Sequence, residues 1–355
     1  MKKFGMTVML CTCTLVMSLL LAYFVTAPSQ KVASDGFGEN KASAYFNRSM
    51  NVLISNVAGT ENKYSLQYDM SAAPEEDQSN YKTIKEDGVT KQMYEDETIT
   101  VVCWKETLTK KINGKNYTAE YAFADVQISD PSQFRRGWSG KNPKDPGKLP
   151  PTTIFNNCNG IVGLSSDFYS YRDYGFVYQY GKEIIAKQSR EDDSNDVLVV
   201  DYNGDFHIYD SIELESIIKQ QGSAFTDTIM HSFTFGPALV EDGKNTNSDK
   251  FLTQTLGQTN ANGKPHCQAR ACIGQLGELH YLLCTVGSSG VDMSELADEM
   301  VSRGCLVAYN LDGGQSGTLL FKDGHFNTIA YNQGSKEKYG ERAQDNIIYF
   351  GTAKQ

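Results

Sequence analysis

The sequence lacks the short motifs that mark the commonest catalytic and metal-binding sites. It has no Gly-x-x-x-x-Gly-Lys phosphate loop, no Gly-x-Ser-x-Gly, no His-Glu-x-x-His and no Cys-x-x-Cys. These absences argue against P-loop nucleotide binding, a serine-hydrolase elbow and the usual zinc sites. We therefore predict no metal ion and no cofactor, and expect the chemistry at junctions between strands and loops.

Basic residues are also scarce. The chain has 33 lysines and arginines against 43 acidic residues, which gives a formal net charge of −10. A nucleic-acid-binding surface is normally basic, so we predict no nucleic-acid partner. Charged residues make up 21% of the chain, apolar residues 40%, and there are 9 prolines. This composition excludes a disordered chain and a protein with many membrane spans, and 355 residues suffice for one or two domains.

Long apolar runs are absent except for one at the N-terminus. Residues 4–25 carry no charge and follow Lys2 and Lys3. A helix of that length would measure about 33 Å, enough to cross a bilayer with the lysines inside. We predict a single-pass cell-membrane protein whose remaining chain is extracytoplasmic. The alternative is a cleaved signal peptide and a secreted protein, although no good small-x-small cleavage site follows the run.

The pattern of the remaining chain divides it in two. After the N-terminal segment at 1–25, residues 26–95 are polar and weakly patterned, which favours a stalk or linker. Residues 96–355 contain β-branched and aromatic runs such as Ile99–Trp104, which are typical of strands. Helix signals are few. We therefore predict an α+β fold for residues 96–355, built on a mixed, strand-rich sheet.

Two local signals are specific. Asp292 precedes an apolar stripe that stops before Gly304, and this pattern predicts a capped amphipathic helix. Asn203-Gly204 separates two strand-like runs and predicts a tight hairpin.

Six cysteines lie beyond residue 25. In an oxidising compartment they permit disulfides, and Cys267 and Cys272 are close enough in the sequence for a local bridge. The alternative is that the cysteines are buried small apolar residues, which suits Cys305 before a strand-like run.

The candidate chemistry centres on Asn310-Leu-Asp312-Gly313-Gly314, which directly follows a strand-like run. A carboxylate at a strand end, followed by glycines that allow close backbone approach, can present an acid to a ligand. The alternative is an ordinary Asp-Gly turn into the next strand. Two further segments carry charge beside apolar runs: Asp167 lies before aromatic residues, and Arg270 precedes an apolar strand.

Taken in order, these segments resemble the phosphodiester glycosidase family over about residues 115–353. The similar segments are Tyr121–Ser132, Asn159-Gly160 with Asp167, Phe235–Val240, Asn310–Gly314, and Glu341-Arg342 with Asn346. Three places depart from the family pattern. Gly313-Gly314-Gln-Ser-Gly317 replaces a usual Gly-Gly-Gly-Ser-Ser. Ala269-Arg270-Ala-Cys272 replaces a usual Pro-Arg-Thr-Ala, and Gly287-Ser-Ser289 replaces a usual Asp-Gly-Arg.

The resemblance implies a hydrolase that cleaves the glycosidic bond of a sugar-1-phosphodiester in cell-surface wall or capsular glycans. It implies Asp312 as nucleophile or base, Asp167 as second carboxylate and Arg270 as the group that neutralises the phosphate. The implied substrate-binding residues are Asn159, Gly160, Asn310, Gly313, Gly314 and Arg342. Structural roles are the alternatives: an ion pair for Arg270, a turn cap for Asp167 and a surface base for Arg342. A non-catalytic glycan-binding or polysaccharide-assembly protein on the same fold is the alternative function.

Overall fold

The computed structural model describes residues 68, 70–112, 115–171, 175–187, 195–253, 268–328 and 341–353. All of these belong to one compact unit, Glu61–Gln355. The predicted membrane segment at 1–25 and the predicted stalk as far as residue 67 lie outside the described residues. Within the described part of the chain, no helix combines the length and the apolar character that a membrane span needs.

Strands dominate the described chain. The first ten are β1 (Tyr81–Glu86), β2 (Val89–Glu95), β3 (Ile99–Ile112), β4 (Lys115–Ile128), β5 (Phe134–Trp138), β6 (Val162–Ser165), β7 (Gly175–Gln179), β8 (Lys182–Lys187), β9 (Asp196–Asp201) and β10 (Phe206–Asp210). The others are β11 (Ile229–Phe233), β12 (Ala238–Glu241), β13 (Lys244–Asn245), β14 (Gln268–Gly277), β15 (His280–Val291), β16 (Val307–Leu311), β17 (Leu319–Phe321), β18 (Gly324–His325) and β19 (Asn346–Phe350). The described helices are α1 (Pro151–Asn157), α2 (Ser211–Gln221), α3 (Ser223–Thr226), α4 (Lys250–Thr253) and α5 (Met293–Ser302).

The strands form three sheets. Sheet 1 has nine strands in the order β1-β2-β3-β4-β15-β14-β16-β12-β13. Sheet 2 has the order β10-β9-β11-β7-β8, and sheet 3 has the order β18-β17-β6-β19-β5. The strand-rich α+β prediction is therefore confirmed.

The prediction of a mixed sheet is wrong for the described strands. Every named pairing in the three sheets is antiparallel, including the long β3–β4 and β14–β15 pairs. Parallel neighbours need a crossover of a dozen or more residues, usually a helix, whereas antiparallel neighbours need only a hairpin. Only two residues separate β3 from β4 and β14 from β15 along the chain, so antiparallel pairing follows directly.

The compact domain begins upstream of the boundary predicted at residue 96. β1 and β2 fall within the predicted stalk, yet β1 pairs with β2, and β2 pairs with β3 at the edge of sheet 1. Tyr94 of β2 is completely buried and packs in the central core. The stalk prediction therefore does not hold for Tyr81–Glu95. This segment alternates with exposed polar residues because it forms a hairpin at the edge of the sheet.

The inner faces of the three sheets share one core, and a helix covers the outer face of each. Buried residues from all three sheets meet in the central cluster, among them Val101, Phe134, Leu198 and Phe350. On the outer faces, α5 packs on sheet 1, α2 on sheet 2 and α1 on sheet 3. This leaves the strand ends, rather than the sheet faces, as places where polar side chains can gather.

Both local sequence signals are confirmed. The Asp292 carboxylate accepts a hydrogen bond from the Glu295 backbone N–H at 2.9 Å and caps α5, whose buried face includes Leu296 and Met300. Burying each of those side chains stabilises the fold by about 1.5–3 kcal/mol. Residues 202–205 form the turn between β9 and β10, where Gly204 takes a positive φ of 81°.

The cysteines support the apolar alternative. Cys103, Cys272, Cys284 and Cys305 are free and buried, and Cys158 is free and partly buried. Burial raises the pKa of the Cys272 thiol well above its ordinary value, which keeps it protonated. Cys267, the other member of the suggested local bridge, lies outside the described residues.

Candidate active site

Asp312 lies where β16 ends, between two segments that hold its backbone. On one side, the Asp312 N–H donates to the Ser166 carbonyl at 3.0 Å. The Ser165 hydroxyl donates to the Asp312 carbonyl at 2.9 Å. β12, the regular neighbour of β16, does not extend as far as Asp312. There the hydrogen bonds to Asp312 come from the end of β6 and the residue after it. The Asp312 backbone is fixed, while the residue stays partly exposed.

Arg270 lies on the other side of Asp312. Ala271 of β14 is opposite Leu311 of β16, so the pairing extended by one residue sets Arg270 beside Asp312. Residues opposite each other in antiparallel strands project from the same face. Arg270 is only 4% exposed, and its Nε donates to the Val291 carbonyl at 3.2 Å. Two of the predicted catalytic residues are therefore neighbours.

The two glycines after Asp312 are needed for this close approach. A Cβ on Gly313 would lie 2.6 Å from the Ala269 carbonyl oxygen and 2.9 Å from the Arg270 Cα, so any side chain would clash with the β14 backbone. Gly314 has a positive φ of 59°, which favours glycine. The loop Gly313–Gly317 therefore packs directly on the start of β14.

Asp167 follows β6 and is fully buried. Its Oδ2 accepts hydrogen bonds from Arg136 Nη2 at 3.1 Å and from the Thr234 N–H at 3.2 Å. Its Oδ1 accepts longer bonds from Asn346 Nδ2 at 3.3 Å and from the Ser166 hydroxyl at 3.4 Å. The Asp167 segment thus adjoins Asp312 through Ser166, but the Asp167 carboxylate itself faces protein donors.

Arg136 is the counter-ion of Asp167, and the sequence analysis missed it. Both side chains are completely inaccessible to solvent. Arg136 Nη2 also donates to the Ser232 carbonyl at 2.8 Å, and the guanidinium lies 4.1 Å from the centre of the Phe233 ring. The sequence offered one signal for Arg136, because two adjacent arginines lie inside the otherwise apolar strand Phe134–Trp138. Adjacent residues of a strand point to opposite faces, so the two arginines lie on different faces of the sheet.

A second carboxylate lies next to this pair. Asp345 Oδ1 accepts a hydrogen bond from Asn346 Nδ2 at 2.6 Å, and its Oδ2 accepts one from the Ser170 N–H at 3.0 Å. Burial raises the pKa of Asp345, and the charge of Asp167 adds to the rise, while the hydrogen bonds from Ser170 and Asn346 oppose it. Asn346 therefore bridges two buried acids, Asp167 and Asp345.

The remaining predicted substrate-binding residues do not lie together in the structure. Asn310 is buried, and its Nδ2 donates to the Gly236 carbonyl at 2.7 Å, close to Asp312. Asn159 and Gly160 lie at the opposite end of β6 from Asp167. Asn159 Nδ2 donates to the Ala73 carbonyl at 2.8 Å, and Gly160 packs against the Phe155 ring. The structure therefore does not bring Asn159 and Gly160 to the Asp312 site.

Arg342 reaches the far side of the glycine loop. Its Nη1 donates to the Ser316 hydroxyl at 3.5 Å, a long hydrogen bond. Gln344 supports the same residue, because its Nε2 donates to the Ser316 carbonyl at 2.8 Å. Arg342 is exposed, unlike Arg270 and Arg136. Among the described side chains, no three or more histidine, cysteine or acidic residues are grouped so that they could hold a metal ion.

Comparison with known proteins connects this geometry to a family. The family model for phosphodiester glycosidase matches residues 158–351. No curated protein matches the chain. Among solved structures, the catalytic domain of zebrafish N-acetylglucosamine-1-phosphodiester alpha-N-acetylglucosaminidase, described as auto-inhibited by its pro-peptide, is 13% identical with a TM-score of 0.56; the match covers 82% of this chain and 99% of that one.

Two further structures show weaker likeness. A putative exported protein from Burkholderia pseudomallei is 10% identical with a TM-score of 0.49, covering 81% of this chain and 100% of that one. A hypothetical protein from Synechocystis is 12% identical with a TM-score of 0.38, covering 76% of this chain and 79% of that one. At such identities, the zebrafish match establishes a shared fold and nothing about substrate.

Proposed function

The chain belongs to the phosphodiester glycosidase family, and from this we propose that it hydrolyses the glycosidic bond of a sugar-1-phosphodiester. The observation that carries the proposal is the placement of Asp312. Asp312 is a partly exposed residue at a strand end. Its backbone is fixed by Ser166, and the glycine after it packs closely on β14 beside Arg270.

The chemistry of the bond suits a site with one accessible carboxylate. The leaving group is a phosphate monoester, whose second pKa is about 6, so it departs with little help from a general acid. The sugar centre becomes oxocarbenium-like, and a carboxylate opposite it can act as nucleophile or as base for water. We assign this role to Asp312. Arg270, its neighbour on β14, supplies positive charge against the departing phosphate.

For Asp167 we propose a positioning role instead of contact with the sugar. Its carboxylate is fully buried and accepts hydrogen bonds from four protein groups. By fixing the segment that carries Ser166, it holds the carbonyl that binds the Asp312 N–H. A buried network that locks a neighbouring element in place is a common way to preorganise a catalytic group.

The test is hydrolysis of the methyl phosphodiester of α-N-acetylglucosamine 1-phosphate, followed as released sugar. Asp312→Asn should lower the rate about 10²- to 10³-fold, because it removes a preorganised charge at unchanged shape. Asp323→Asn is the matched control, since Asp323 is an exposed acid in the β17–β18 turn. Arg270→Met should also slow turnover. A wild-type rate for Asp312→Asn, with its thermal unfolding unchanged, would refute its role.

One observation favours the non-catalytic alternative. Glycosidases usually work with two carboxylates, and here the second predicted one, Asp167, is not accessible. A glycan-binding protein would need only the recognition part of the site. It would bind the same phosphodiester, measured by isothermal titration calorimetry, without releasing sugar at any enzyme concentration.

We further propose that the domain acts at the cell surface on phosphate-linked wall or capsular glycans. The support is the uncharged run at residues 4–25 behind two lysines, which is typical of an anchor or a secretion signal. Extracting polymer from cells and measuring release of reducing sugar by the purified domain would test this substrate class.

A further inference from the structure

Phe168, the residue after Asp167, is flanked by two cationic side chains. Lys148 Nζ lies 4.6 Å from the centre of its ring, and Arg342 Cζ lies 5.6 Å from the same centre. Phe168 is itself nearly buried and takes a positive φ of 49°, so the ring is held by its surroundings. Lys148 and Arg342 are both exposed. Two loops distant in sequence thus bring positive charge to one fixed ring.

The two loops are tied together by backbone hydrogen bonds. Leu149 and Gln344 form an isolated antiparallel bridge, with the Leu149 N–H donating at 3.0 Å and the Gln344 N–H donating at 2.8 Å. Lys148 therefore sits next to one end of this bridge, and Arg342 lies two residues from the other. The Ser139 hydroxyl, which donates to the Pro146 carbonyl at 2.7 Å, closes the loop that carries Lys148.

The same contacts place both cations at the border of the Asp312 loop. Gln344 and Arg342 both bond Ser316, which lies in the loop that starts at Asp312. Along the sequence, Phe168 is two residues from Ser166, whose carbonyl accepts the hydrogen bond from the Asp312 N–H. Arg270 borders this loop from β14, and the pair Lys148 and Arg342 borders it from the Phe168 side.

Such a pair has a clear electrostatic use in this protein. The chain carries a net charge of −10, so an anionic substrate is repelled unless positive charge is concentrated at the site. An arginine fork matches two phosphate oxygens, and a lysine adds a mobile point charge.

We infer that Lys148 acts with Arg342 to bind the phosphate of the sugar-1-phosphodiester, and that Lys148 determines specificity for a phosphorylated aglycone. The inference rests on the proposed function and adds a residue that the family resemblance did not suggest. Lys148 is thereby a substrate-binding residue supplied by the loop between β5 and α1.

The experiment compares Lys148→Met with Lys141→Met and Lys144→Met, two exposed lysines of the same loop. Each variant is assayed on the methyl phosphodiester of α-N-acetylglucosamine 1-phosphate and on p-nitrophenyl α-N-acetylglucosaminide, which has no phosphate. For Lys148→Met, kcat/KM for the phosphodiester divided by kcat/KM for the uncharged substrate should fall about 10- to 100-fold, mostly through a higher KM for the phosphodiester. The reason is that a hydrogen bond to a charged group is lost. The two control variants should keep the wild-type ratio.

Unchanged selectivity in Lys148→Met, or an equal loss of selectivity in the two controls, would overturn the inference. If the wild-type protein hydrolyses neither substrate, the proposed function fails on its own and binding decides the inference. Calorimetry with α-N-acetylglucosamine 1-phosphate should then show binding that Lys148→Met weakens about tenfold or more, while Lys144→Met does not. Absent binding, or equal binding by wild type and Lys148→Met, would also overturn it.

Discussion

Replacing Arg136 with methionine should cost the protein about 3–5 kcal/mol of folding free energy, because it strands the buried Asp167 carboxylate without its counter-ion. The two side chains are completely buried and lie 3.1 Å apart. Methionine keeps much of the packing of the arginine stem on the Phe233 ring. It removes the charge and the hydrogen bond to the Ser232 carbonyl, so the loss reports mainly on electrostatics.

A double-mutant cycle separates the interaction energy of the Arg136–Asp167 pair from the loss of packing. Asp167→Asn leaves Arg136 as the uncompensated buried charge and should be destabilising for the same reason. In the double variant neither charge remains, so its cost should fall short of the sum of the two single costs by about 1–3 kcal/mol. Lys82→Met is the control, because the Lys82–Glu95 pair is short at 2.8 Å but half-exposed, and exposed pairs are worth about 0–1 kcal/mol.

Urea unfolding followed by circular dichroism measures these differences, provided that the slope of free energy against urea stays unchanged among the variants. The reasoning would be refuted by either of two results. One is an Arg136→Met variant no less stable than Lys82→Met. The other is a double variant whose cost equals the sum of the single variants, since that would mean the two groups do not interact.

Three further predictions follow from the same structure. Burial, reinforced by Arg136, lowers the pKa of His231 to about 3, so the native imidazole stays neutral while the unfolded one binds a proton below about 6.5. Stability should therefore decline as pH falls from 6.5 toward 3, by up to about 1.4 kcal/mol per pH unit, and His231→Gln should flatten this part of an acid titration; an identical slope in the variant would contradict the assignment. A chain that begins at residue 96 loses β1 and β2 and should melt at a lower temperature than one that begins at residue 68. Equal melting temperatures would instead support the domain boundary predicted at residue 96. Protease added to intact cells should digest residues 26–355 if the N-terminal run is an anchor, and full protection would contradict this single-pass topology.

The sequence by itself determined the features that depend on neighbours along the chain. Asp292 and the stripe behind it specify α5, because a cap and a 3.6-residue period act within one helix. Asn203-Gly204 specifies its turn in the same way. The order of segments around Asp167, Arg270 and Asp312 indicated the family that the model over residues 158–351 confirms. The structure places Arg270 and Asp312 next to each other in sheet 1, and their catalytic roles stay predictions.

Only the tertiary structure decided which of these residues meet. Arg136 and Asp167 are far apart in sequence and come together because β5 and β6 each pair with β19. Asn159 and Gly160 share a segment with Asp167 but are carried to the other end of β6, since an extended strand separates its ends. The edge hairpin at Tyr81–Glu95 is polar outside and gains its order by pairing with β3. The buried Arg136–Asp167 ion pair and the Lys148–Arg342 pair both arise between distant segments, and no local periodicity encodes such contacts.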